Sequence, residues 1–202
     1  MFPDVMGMGK SRFFRALALL AVTVPLGACG GKANNDTYSL SSVPSVQGPS
    51  TSRQILVPEP TALKALDSDQ IVVRLSGSEL QYLAKSQWGD RLPRMVQSKL
   101  VQAFENTGKV GGVGKPGEGL AIDFQVVTEI RSFEVDTSSG TNAVVEIFAK
   151  IVNDRNGTVR AQRAFRASVP VSGTGAPNYI KGLDRAAANV VADIVRWTLT
   201  AI

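Results

Sequence analysis

Residues 143–169 read AVVEIFAKIVNDRNGTVRAQRAFRASV, and their pattern decides what kind of fold this chain makes. Apolar residues alternate with polar or smaller ones on both sides of Asn156-Gly157. Alternation with period two marks a strand with one buried face, and an Asn-Gly step between two such runs is a strong hairpin signal. Residues 143–152 and 158–169 are therefore expected to pair antiparallel. Upstream, Leu120, Ile122, Phe124, Val126 and Thr128 alternate in the same way. The phase slips after Ile130, because Phe133 and Val135 are odd-numbered, and a bulge near Arg131-Ser132 accounts for it. Earlier still come a short strand at Ile55-Leu56-Val57, stopped by Pro58 and Pro60, and a β-branched run at 70–75. Residues 78–84 supply one more short strand leading to Trp88.

Two segments have the other period. In residues 90–108, DRLPRMVQSKLVQAFENTG, apolar residues fall at 92, 95, 96, 100, 103 and 104. That spacing predicts a helix, with Asp90 or a neighbour as cap, Pro93 in the first turn and Gly108 at the end. After the Gly/Pro-rich residues 173–177, Leu183, Ala187, Val190, Ile194 and Trp197 mark one face of a long terminal helix. The expected fold is α+β, an antiparallel β-sheet packed against two amphipathic helices. Trp88 and Trp197 are both expected in the core, and Trp197→Ala would then cost roughly 3–5 kcal/mol.

The amino terminus does not belong to this pattern. Lys10, Arg12 and Arg15 precede an uncharged apolar run, residues 16–26, which is too short to cross a membrane and reads as a signal h-region. Leu26-Gly27-Ala28-Cys29 follows, and it resembles a lipobox: an aliphatic residue, two small residues, then a cysteine that is lipidated after cleavage behind Ala28. Cys29 is the sole cysteine of the 202 residues. Gly30, not an aspartate, follows it, which by the usual sorting rule points to the outer membrane. Residues 29–52 carry much Gly, Ser, Asn and Pro and read as the lipidated cysteine and a flexible tether, spanning roughly 25 Å root-mean-square. The signal is thus residues 1–28 and the globular domain residues 53–202.

Composition closes several routes to chemistry. The chain has no histidine, so a His base, a His metal ligand and a Cys–His pair are all excluded, as is an internal disulfide. The net charge of +5 falls to +3 once the signal's three bases and one acid are removed, and no Arg/Lys stripe interleaves with aromatics. Nucleic acid is therefore not the expected partner. Gly112-Val113-Gly114-Lys115-Pro116-Gly117 is formally G-x-G-x-x-G, but Pro116 and a following strand are wrong for a helix opening on a phosphate. A flexible strand–strand loop explains it. No S-x-x-K serine nucleophile occurs, and the carboxylates Glu129 and Glu134 carry no signature beyond lying on a strand. No cofactor, metal site or catalytic residue is implied. Arg163 is the odd residue, since it interrupts the apolar row Val159, Ala161, Phe165, Ala167, Val169.

Residues 70–108, QIVVRLSGSELQYLAKSQWGDRLPRMVQSKLVQAFENTG, resemble the auxiliary lipoprotein family of ABC-type transport systems. The likeness lies in the strand ending at Arg74, Leu80-Gln81-Tyr82, Trp88 with Asp90, then Leu92-Pro93 and its helix. Ile130-Arg131-Ser132-Phe133, Arg163-Ala164-Phe165, the closing helix with Trp197, the lipobox and Pro58/Pro60 fit as well. The glycine-rich loop 108–119 departs from it. The resemblance implies a non-catalytic outer-membrane lipoprotein facing the periplasm. Its implied partners are an MCE-type substrate-binding protein and an ABC permease and ATPase, together moving lipids or other hydrophobic molecules. A homo-oligomer would suit a tunnel-shaped partner. The competing expectation is a structural or assembly lipoprotein with no part in transport.

Overall fold

The computed structural model describes residues 35–202, so the signal, Ala28 and Cys29 lie outside the described residues. In chain order the elements are β1 (Asp36–Tyr38), β2 (Gln54–Leu56), β3 (Thr61–Ala62), β4 (Gln70–Ser76), β5 (Glu79–Trp88) and α1 (Leu92–Thr107). Then follow β6 (Gly112–Gly114), β7 (Phe124–Asp136), β8 (Asn142–Asn153), β9 (Val159–Pro170) and α2 (Ala176–Ala201). The hairpin signal is answered: β8 and β9 pair antiparallel along their whole length, and Gly157 takes φ +70° in the turn between them. A left-handed φ costs glycine nothing, which is why the Asn-Gly step turns the chain there. The β7–β8 register slips between Ile130 and Ser132, at the expected bulge.

The class is α+β with two helices, as expected, but the sheet is mixed and not purely antiparallel. One edge of β7 pairs antiparallel with β8. Its other edge is tiled by three short strands that all run parallel to it: Ile55 lies opposite Phe124, Thr61 opposite Glu129 and Val72 opposite Glu134. Pro58 and Pro60 explain the tiling. A proline cannot donate to the ladder, so a strand that meets two of them breaks into pieces. The β4–β5 hairpin, with β1 parallel on its far side, extends the sheet at one end of β7. The β2–β6 pair extends it at the other.

One sheet face is the core. Ala143, Val145, Ile147, Ala149 and Ile151 of β8 are each at most 1% exposed, and α2 packs across β7, β8 and β9 above them. Leu183, Val190, Ile194 and Leu199 of α2 are equally buried, each contributing about 1.5–3 kcal/mol of apolar transfer. Helix α1 lies beside α2 and contributes Leu92, Val96, Leu100 and Phe104 to the same core. At its start Arg91, the neighbour of Asp90, is the cap residue, and no side chain caps the helix. Asp90 Oδ1 instead accepts the Arg91 N–H at 2.7 Å, one residue too early to serve the helix. Pro93 and Gly108 sit where expected, Gly108 with φ +58° and its N–H donating to the Glu105 carbonyl.

Composition marks residues 29–52 as tether, yet the described part, from Asn35 on, lies against the domain. After β1, Leu40 and Val46 are each 3% exposed, and Gly48 lies so close to Leu199 that a Cβ would meet it at 2.9 Å. Between those two apolar anchors, Asp184 of α2 accepts hydrogen bonds from the backbone N–H and hydroxyl groups of both Ser41 and Ser42, at 2.6–3.1 Å. Partial burial works to raise the Asp184 pKa, but the Ser42 and Ser41 hydrogen bonds outweigh it and hold the carboxyl below its ordinary 3.8. Because the folded pKa is depressed, this clamp is fully present above the ordinary value and is lost as pH falls through the lower folded one. Asp184→Ala should therefore speed amide exchange across residues 39–46 at neutral pH. The native protein should approach the same exchange only below the ordinary carboxylate range. Equal exchange in the two proteins at neutral pH would show that Leu40 and Val46 hold the segment without the clamp.

Candidate functional site

Among the described residues β8 is the one strand neighbour of β9, so β9 is an edge of the sheet there, and the last turns of α2 lie over it. Between them is a shallow groove of about 330 Å³, lined by Arg163 and Phe165 from β9 and by Asp193, Arg196, Trp197 and Thr200 from α2. The Arg163 guanidinium stands 5.3 Å from the Phe165 ring centroid, a cation–π distance. Arg196 Nη1 donates to Asp193 Oδ1 at 2.7 Å, one turn back on the helix. This explains the oddity of Arg163. On an edge strand a position within the apolar row need not be covered, and a long side chain lays its stem on the aromatic while its charge reaches water.

Trp197 lines the same groove, which corrects its expected place in the core. It is half-buried, its ring edge-on to Phe165 at 5.3 Å between centroids and an interplanar angle of 62°. The deep stripe of α2 runs through Val191, Ile194, Val195, Thr198 and Leu199, and Trp197 falls on its flank, over the edge strand. Trp88, by contrast, is 1% exposed and meets Phe133 at 5.8 Å and 87°.

The remaining candidates are committed to structural work. Glu129 pairs with Arg131 on the exposed face at 3.3 Å, whereas Glu134 is buried against Arg74. The bulge in β7 lies between them, and each carboxylate has its own arginine. The glycine-rich stretch 108–119 is not wholly a loop: Gly112–Gly114 form β6, parallel to β2. At Gly111 an added Cβ would lie 2.2 Å from the Ser52 carbonyl oxygen, so glycine is there for a close backbone approach. Among the described residues no three His, Cys, Asp or Glu are grouped to hold a metal ion, and no helix is long and apolar enough to cross a membrane.

Two features were missed in the sequence. One is the Asp184 clamp, whose partners lie more than a hundred residues away and leave no local signal. The other is the exposure of Leu75, Leu80 and Tyr82 on the β4–β5 hairpin, whose two strands were expected. Those three residues were visible as apolar positions, but only the pairing shows that nothing covers them.

This fold recurs in proteins of known structure. The chain matches, over residues 38–195, the family described as the ABC-type transport auxiliary lipoprotein component. It belongs to that family. It is similar to protein XCC0632 from Xanthomonas campestris, at 28% identity and a TM-score of 0.78, covering 82% of this chain and 95% of that one. A second crystal structure, of an uncharacterized protein, shares the fold at 17% identity and a TM-score of 0.65, covering 82% of this chain and 99% of that one. In sequence it is 28% identical over 176 residues to the uncharacterized protein bll6063 of Bradyrhizobium diazoefficiens. That alignment takes in 86% of this chain but only 47% of the relative, so the chain spans about half the length of the curated protein it matches.

Proposed function

We propose that this protein is a lipid-anchored, non-catalytic docking component of an ABC system that moves lipids or other hydrophobic molecules across the periplasm. In this reading an MCE-domain protein with its permease and ATPase is the partner. The observation that carries the reading is the family match over residues 38–195, joined to a lipobox that ends at Cys29. The anchor is a thioether-linked, acylated Cys29, freed by cleavage behind Ala28, and the membrane is the outer one. Stable attachment needs two or more acyl chains, at about 0.8 kcal/mol per buried CH₂. Intact mass of the mature protein should show Cys29 as the first residue carrying acyl chains, and Cys29→Ser should move the protein out of the membrane fraction. Unchanged fractionation of that variant would remove the anchor.

The transport role has its own test. Cross-linking in intact cells, followed by affinity isolation of the full lipoprotein from solubilised envelope, should recover an MCE-domain protein. Recovery of a peptidoglycan-binding or β-barrel assembly factor, with no MCE-domain protein, would favour a structural lipoprotein instead.

A further inference from the structure

The exposed hairpin and the point where the chain enters the fold lie side by side. Leu75, Leu80 and Tyr82 are 36%, 41% and 49% exposed. Leu80 pairs with Arg74 and Tyr82 with Val72, so both project from one face of the hairpin. Leu75 lies at the register slip between Arg74 and Ser76, next to the turn of the hairpin. The three exposed side chains make the tip an apolar surface at one end of the sheet.

The described chain begins beside this tip. β1 runs parallel to β5, with Asp36 opposite Ser86 and Tyr38 opposite Trp88. Asn35, the first described residue, therefore lies on the Lys85 side of β5, the side on which the hairpin tip lies. Asn35 shares a shallow depression with Tyr82 and Lys85, and its Nδ2 donates to Gln87 Oε1 at 3.1 Å. Six residue steps join Asn35 to Cys29. At ~3.3–3.6 Å per residue they reach no further than about 22 Å. Along β5, Lys85 to Glu79 is also six steps, so the anchor's reach matches the length of the projecting hairpin.

We propose that the hairpin tip around Leu75, Leu80 and Tyr82 rests in the interfacial layer of the membrane that holds the Cys29 lipid, fixing the orientation of the domain. The inference rests on lipidation of Cys29. Tyrosine has an apolar ring and a polar end suited to that layer. Glu79 and Lys85, both exposed, flank the leucine and tyrosine and limit the contact to the headgroup boundary, with no spanning segment. The far end of the sheet, where Val159 is 50% exposed beside the β8–β9 turn, is then directed away toward the periplasm.

The test uses the full lipidated protein in vesicles of phosphatidylethanolamine and phosphatidylglycerol. The sulfur of lipidated Cys29 is blocked, so Leu80→Cys, Tyr82→Cys or Val159→Cys each supplies one thiol for an environment-sensitive fluorophore. Nitroxide lipids should quench the labels at positions 80 and 82 several-fold and leave that at 159 unchanged. Flotation of the unlabelled protein with the vesicles is read first and reports the anchor alone. Protein that floats while the labels at 80 and 82 stay in water overturns the hairpin contact and leaves the anchor standing. Labels shielded from water but not quenched would mean that a second copy or another protein covers the tip, and would also overturn it. Protein that fails to float removes the anchor, and the hairpin contact with it.

Discussion

Replacing Trp88 by alanine should cost about 3–5 kcal/mol, the range of large aromatic truncations in a core that cannot collapse. Trp88 is 1% exposed, and its indole stands edge-on to Phe133, which is equally buried. It also closes β5, where its backbone N–H donates to the Asp69 carbonyl at 2.7 Å, just before α1 begins. The cavity would open where sheet, strap and helix start meet, so no single element could move in to fill it. The same change at Trp197 should cost about 2 kcal/mol, since that ring is half-buried on the flank of α2 and covers one edge strand. Denaturant midpoints of the two variants check the contrast. Equal losses would show that the groove between β9 and α2 is closed in solution.

Arg74→Ala should be the most damaging change of a charged residue, at about 3 kcal/mol. Arg74 Nε donates to Glu134 Oε1 at 2.7 Å and Nη2 to Oε2 at 2.9 Å, a bidentate pair, while Nη1 holds the Gly77 carbonyl at 2.7 Å in the β4–β5 turn. The Glu134 side chain is 7% exposed and that of Arg74 26%. Removing the arginine leaves a nearly buried carboxylate unpaired, which in full burial costs about 3–5 kcal/mol, and the partial exposure of Arg74 sets the figure at the low end. The hydrogen bonds to Glu134 hold the Arg74 pKa above its ordinary value, so the pair's contribution from the arginine side is fully present below that ordinary value and is lost only as pH rises through the higher folded one. Arg74→Lys should keep the charge and lose the fork, for an intermediate cost. Changing both partners to methionine should recover most of the loss in denaturant midpoint. A double variant no better than Arg74→Ala would show that the Gly77 contact, not the ion pair, carries the effect.

Every long element was legible in the sequence because its signal is local. The alternation in residues 143–169 needs no partner to be read, since half-burial by any core imposes period two. Helix α1 announced itself by spacing, Pro93 and Gly108, while the structure chose Arg91 over Asp90 as its cap residue, because Asp90 spends its side chain on the next N–H. The bulge at Arg131-Ser132 was visible as a phase slip. β6 was not, because Gly112–Gly114 have almost no side chains to show a period, and a strand of that kind exists only where β2 supplies its ladder.

What the sequence by itself determined is therefore the α+β class, the hairpin, the two helices, and the lipobox that motivates an anchor at Cys29. The tertiary structure decided the parallel tiling along β7, because parallel neighbours come from distant segments and leave no mark on local periodicity. It also decided that residues 36–48 are strap rather than tether. Their composition is that of a flexible linker, and only two buried side chains, a short parallel strand and four hydrogen bonds to Asp184 offset the entropy of holding them down. Composition measures what a segment can bury by itself; a segment laid on a finished core needs to bury far less.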